Sequence, residues 1–120
     1  MCSEDLVKYK HERIPKLWGE EEMIVNTERY CGKILRLKRK HRSSLHYHIN
    51  KDETFLCMDG TVLVEYGRDW LNEVLLRPGM SIRLLPGMPH RFEAIGDEAE
   101  VVEFSTPHDD GDVVRLEESR

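Results

Sequence analysis

Turn signals punctuate this chain at intervals of roughly 8 to 12 residues, which leaves room between them only for short strands. Gly and Pro clusters mark the breaks at Cys31-Gly32, Asp59-Gly60, Arg77-Pro78-Gly79, Pro86-Gly87 and Gly96-Asp97, with Asn50-Lys51-Asp52 as a further link. The segments between them alternate apolar and polar residues: 22–29, 33–39, 45–48, 53–57, 61–66, 73–76, 81–85, 90–95 and 100–105. Asp59-Gly60 has the composition of a tight hairpin turn. About nine strands at this spacing predict an all-β sandwich or barrel. No helical pattern of 10 to 15 residues separates them, which disfavours a parallel α/β sheet. The first 15 residues are polar with a weak apolar stripe at Leu6, Tyr9 and Ile14, and read as a short helix or a loose arm.

A length of 120 residues suits one domain. Lys plus Arg is 18 and Asp plus Glu is 23, a net charge of −5. That balance argues against a general nucleic-acid or membrane-surface binder, since both need excess basic charge. The charge is uneven. Residues 33–42 carry six Lys or Arg and no acid, while residues 93–120 carry ten acids against Arg115 and Arg120. Cys2, Cys31 and Cys57 fit neither a metal knuckle nor a disulfide framework and read as reduced thiols. The start Met1-Cys2-Ser3-Glu4-Asp5 lacks a basic and apolar leader, and no apolar run approaches a membrane span. The expectation is a soluble, cytoplasmic protein with neither nucleic-acid nor membrane partners.

His46 and His48 are two apart, so on a strand they share a face. Glu53 follows a short turn of a length that lets an antiparallel neighbour return its carboxylate to the same place. His90 opens a later strand after Gly87-Met88-Pro89. Imidazoles and a carboxylate on three strands suit a divalent transition metal with open positions for substrate. By themselves, two histidines in this spacing are more often surface or hydrogen-bonded residues.

The segment His46-x-His48-x4-Glu53-x6-Gly60 resembles the first signature of the cupin superfamily, and Gly79-x5-Leu85-Pro86-Gly87-Met88-Pro89-His90 resembles the second. The resemblance implies a single-domain jelly-roll barrel in which His46, His48, Glu53 and His90 hold one divalent metal ion (zinc, manganese, iron, cobalt or nickel). Two positions depart from the pattern. Lys40 stands where a glycine is expected six residues before the first ligand, and Ala94 stands where an asparagine is common.

Three further segments are similar to type II mannose-6-phosphate isomerases and related stand-alone cupins: Trp18-Gly19-Glu20-Glu21-Glu22, Ser44-Leu45-His46-Tyr47-His48, and the tail from Ser105 to Glu117, which ends Asp112-Val113-Val114-Arg115-Leu116-Glu117. The likeness covers residues 17–120 and leaves 1–16 as an N-terminal arm. It implies an aldose–ketose isomerase acting on a sugar or sugar phosphate, in a homodimer. His46 occupies a position that is usually glutamine in that family, which leaves room for an iron-dependent dioxygenase or a non-catalytic sugar-binding cupin. Strand parity turns Arg42 toward the ligands if the strand extends that far, and turns Glu93 away. Arg42 and Arg115 are the first candidates for an anionic or hydroxyl-rich substrate, followed by His108 and Lys33. No residue stands out as the catalytic base. Trp18 reads as a packing residue on an edge strand.

Overall fold

The computed structural model describes residues 6–68 and 72–120. Cys2 and the start of the arm lie outside them. Eleven strands run in order: β1 (Glu12–Lys16), β2 (Gly19–Asn26), β3 (Cys31–Leu37), β4 (Leu45–His48), β5 (Glu53–Asp59), β6 (Val62–Tyr66), β7 (Asn72–Leu76), β8 (Ser81–Leu84), β9 (His90–Ala94), β10 (Ala99–Ser105) and β11 (Val113–Glu117). One sheet has the order β1-β2-β3-β10-β5-β8 and the other β11-β4-β9-β6-β7, with every pairing antiparallel. This is a jelly roll, two facing sheets whose inward side chains fill one interior. No helix among the described residues is long and apolar enough to cross a membrane.

The two strands absent from the sequence-based count lie at the ends. β1 falls in the segment expected to be helix or arm and pairs with β2, with Pro15 opposite Glu20. Proline is tolerated there because β1 is an edge strand. β11 forms from the acidic tail and pairs with β4.

Three turns also differ from expectation. The β2–β3 turn is at 27–30, not at Cys31-Gly32, because the Thr27 hydroxyl accepts from the amides of Arg29 and Tyr30 and fixes the bend. Asp59-Gly60 does not close a hairpin, since β5 and β6 belong to different sheets. It turns the chain from one sheet to the other with Gly60 at φ 76°, where a Cβ would meet the Glu98 carbonyl. Likewise β4 and β5 face each other across the barrel and do not pair.

The interior has two unlike ends. The inward row of β3 is Cys31, Lys33, Leu35, Leu37; that of β10 is Ala99, Val101, Glu103; that of β5 is Glu53, Phe55, Cys57. Cross-strand register aligns these rows, with Leu35 and Cys57 flanking Val101 and Leu37 opposite Ala99. These residues join Val62, Val64, Leu76, Leu84, Phe92 and Ala94 in the apolar core. One register step away the row changes character, with Lys33 opposite Glu103 and Glu53 at the head of β5. Ile82 and Leu84 also point inward, as alternation predicts, and Met58 faces out. Trp18 is buried, but it lies in the β1–β2 turn, where its ring meets Phe92 edge-on at 5.5 Å.

Candidate metal centre

The polar end of the barrel is lined by both sheets. His46 and His48 lie on β4, and His90 lies opposite His46 on β9. Glu53 approaches from the facing sheet, not from a neighbouring strand. The three histidines each bring a ring nitrogen within 4.8 Å of the others. Glu53 Oε1 is 3.4 Å from His48 Nε2, and Glu53 Oε2 is 3.3 Å from His90 Nε2. Glu53 thus adjoins two of the three clustered histidines, and the four side chains singled out by the sequence gather at one end of the barrel.

Hydrogen bonds fix which nitrogens face that point. His46 Nδ1 lies 2.9 Å from the Ser44 carbonyl, and His90 Nδ1 lies 2.9 Å from the Met88 carbonyl. A carbonyl can only accept, so each Nδ1 carries the proton and each Nε2 presents a lone pair. The buried Nε2 of His90 has no hydrogen-bond partner among the described residues. It faces the Glu53 carboxylate, so two acceptors meet without a proton between them. A cation between them resolves that repulsion, and the donor set of imidazole and carboxylate fits a divalent transition metal.

Burial, reinforced by His90, pushes the His46 imidazole down to about 3. Burial, with the Lys51 ammonium and His90, pushes His48 down to about 4. Both rings are therefore neutral near pH 7, the state in which an imidazole binds a metal.

A second polar group adjoins the first. Lys51 Nζ is 2.8 Å from Glu103 Oε2 and 3.6 Å from Glu53 Oε1. Lys33 and Lys51 each donate to His108 Nδ1 at 3.3 Å, and His108 Nε2 then donates to Asp110 Oδ1 at 2.8 Å. Lys33 also lies 3.6 Å from Glu21. Burial opposes the charge on Glu103, but the Lys33 and Lys51 ammoniums outweigh it and hold its carboxyl below the usual range. The Glu103 carboxylate in turn outweighs the burial of Lys51 and raises its pKa. Both groups border a cavity of about 540 Å³ whose walls also include Trp18, Phe92 and Arg115.

Lys33, His108 and Arg115 line the cavity together with His46 and His48. Arg42 does not. β4 begins at Leu45, so the parity that would turn Arg42 inward fails upstream of it. Arg42 instead bridges to Glu93 and lies 3.9 Å from Glu65.

Lys51, Glu103 and Asp112 were missed. Glu103 was within reach, because it continues the inward alternation of Ala99 and Val101. Lys51 and Asp112 had no such signal, since neither lies in a strand.

Residues 33–106 match the cupin domain family, and the chain belongs to it. No curated protein sequence matches. Among solved structures, the chain is similar to the capsular polysaccharide assembling protein CapF from Staphylococcus aureus, with 17% identity, a TM-score of 0.76, and coverage of 98% of this chain and 34% of CapF. KdgF from Halomonas sp. shares 16% identity at a TM-score of 0.73, covering 86% of this chain and 90% of KdgF. Oxalate decarboxylase from Bacillus subtilis shares 17% identity at a TM-score of 0.77, covering 88% and 30%. The chain thus spans about a third of CapF and of oxalate decarboxylase. At these identities the likeness is one of fold.

Proposed function

We propose that this cupin is a metal-dependent aldose–ketose isomerase acting on a sugar or sugar phosphate. The observation that carries the proposal is the pairing of neutral imidazoles and Glu53 with a cavity of about 540 Å³ that Lys33, His108 and Arg115 also line. The carbohydrate context of the neighbour CapF, a capsular polysaccharide assembling protein, supports a sugar substrate.

His46, His48, His90 and Glu53 would hold the ion. A bound divalent metal supplies Lewis-acid stabilisation of an enediolate, the species formed when a proton moves between C2 and C1. The chain's own residues orient the ligands and bind the substrate. The Ser44 and Met88 carbonyls hold two imidazoles with Nε2 free to face the ion. Arg115 and Lys33 bind hydroxyl or anionic oxygens, with arginine able to grip a phosphate through two parallel hydrogen bonds. Phe92 and Leu35 close the cavity floor and exclude water behind the site.

The test is exchange of the C2 proton in deuterated solvent, followed by NMR. The metal-loaded protein would be incubated anaerobically with mannose 6-phosphate, fructose 6-phosphate and their unphosphorylated forms. Exchange together with aldose–ketose conversion is expected. No exchange across a broad panel of aldoses and ketoses would sink the isomerase reading. Turnover that requires oxygen would move the site to dioxygenase chemistry, which three histidines and a glutamate also suit. Tight sugar binding with neither reaction would make it a binding module.

A further inference from the structure

We propose that Asp112, in the C-terminal tail, is a positioning residue of the metal centre, orienting His48 and clasping the turn that joins His48 to Glu53. This rests on the metal-binding reading above.

The three histidines differ in how their outer nitrogen is held. His46 and His90 each have Nδ1 on a backbone carbonyl two residues earlier in their own segment. His48 does not. Its Nδ1 is buried and lacks a hydrogen-bond partner among the described residues. The group facing it is a carboxylate oxygen, Asp112 Oδ2, at 3.9 Å. When Nε2 of His48 serves as a ligand, Nδ1 carries a proton and needs an acceptor. A shift of about 1 Å brings Asp112 into ordinary hydrogen-bond range. A carboxylate in that role fixes the ring and raises its basicity as a ligand more than a carbonyl does.

The same carboxylate holds the backbone. The amide of Asn50 donates to Asp112 Oδ1 at 2.9 Å, and that of Lys51 donates to Oδ2 at 3.1 Å. The amide of Ile49 donates to the Asp112 carbonyl at 3.0 Å. Three successive amides of the link between β4 and β5 therefore converge on one residue. That link must cross from one sheet to the other, and it sets the distance between His48 and Glu53. Asp112 itself is 8% exposed, and Val113 beside it lies opposite His48 on β11. A negative charge buried to this depth is costly unless it is well bonded, and its bonds all run to this turn or toward His48. The tail thereby holds the turn between the two ligands from 62 residues beyond Asn50 in sequence.

Linkage makes the effect reciprocal. If Asp112 favours the metal-bound arrangement, metal binding must tighten the clasp.

The full-length protein would be compared with Asp112→Asn and Asp112→Ala. The readouts are zinc affinity by chelator competition, the visible spectrum of the cobalt form, thermal melting of the metal-free protein, and amide exchange at Asn50 and Lys51. We expect zinc affinity to fall by about 10- to 100-fold in Asp112→Ala, with Asp112→Asn intermediate and the cobalt spectrum altered in both. Metal should slow exchange at Asn50 and Lys51 in the wild type and not in Asp112→Ala. Unchanged affinity and spectrum in both variants, with only the melting temperature lowered, would reduce Asp112 to a structural clasp and overturn the proposal. Should Asp112→Ala fail to fold, Asp112→Asn decides by the same readouts. A wild type that takes up neither ion would overturn the metal reading beneath it, whereas tight wild-type binding with unaffected variants would overturn the role of Asp112 alone.

Discussion

The two ends of the barrel interior are built by the same strands and do opposite things. At one end, Leu35, Leu37, Cys57, Ala99 and Val101 pack into a dry core. At the other, the continuation of those rows holds Lys33, Glu53 and Glu103, facing His46, His48 and His90. The dry end gains from burial of apolar area and pins the strands in register. The wet end gathers charges and neutral imidazoles that cost free energy to bury unless they are paired or bound to an ion. The fold thus stabilises itself at one end of each strand and spends part of that stability at the other.

The comparison breaks most sharply at His48. We predict that His48→Ala abolishes metal binding and leaves a folded barrel, because the ring contributes a ligand at the wet end and nothing to the dry core. Metal content by elemental analysis, alongside circular dichroism, tests it; a variant that retains its metal would remove His48 from the centre.

Above the carboxylate range, acid should act chiefly on the wet end. His46 and His48 are held neutral in the fold, at about 3 and about 4. In the unfolded chain they regain the ordinary value near 6.5. As pH falls through about 6.5, the unfolded state takes up protons that the folded state does not, so stability declines, less steeply once His48 protonates near 4, until His46 also protonates near 3. Melting temperatures of the metal-free protein should drop across that window. His46→Gln removes one titrating ring and should flatten the curve; an identical slope in that variant would locate the acid response elsewhere.

At the dry end, Leu37→Ala should cost about 3 kcal/mol in denaturant unfolding, because the cavity it leaves cannot readily collapse between two sheets. Zinc affinity of the remaining folded protein should not change. A matching loss of affinity would show that the two ends are not separable.

The smallest effect concerns Lys40, the only non-glycine with positive φ among the described residues, at 68°. This is the position where the cupin pattern has glycine. A lysine there bears a left-handed backbone that costs on the order of 1 kcal/mol. Lys40→Gly should therefore raise stability by about 0.5 kcal/mol after the entropy of the added glycine is counted, and leave the metal centre untouched. No gain in melting temperature would mean that the turn carries no strain.

Much of this was legible in the sequence, and for one reason. Strand alternation has a period of two, so a buried residue reports its neighbours two positions away. Applied to these strands, that rule places Lys33, Phe55, Cys57, Ile82 and Leu84 inward and Met58 outward, as the structure has them. It failed where strands end. Arg42 lies just beyond β4 and turns away from the cavity, and Lys51 sits in a turn that alternation does not describe. The edge strand β1 was hidden by its polar residues and Pro15, because an edge needs little apolar content to pair.

The sequence by itself determined the all-β class, the two signatures, and the histidines and glutamate that converge. These depend on local periodicity and on residue chemistry at fixed spacing. Only the tertiary structure decided which sheet each of these four side chains comes from. It also decided that Lys51 and Glu103 form a buried pair beside the site, and that Asp112 reaches across to the turn behind His48. Those facts depend on how strands far apart in sequence are laid side by side. Such long-range register is set by the packing of the whole interior, and no short window of sequence contains it.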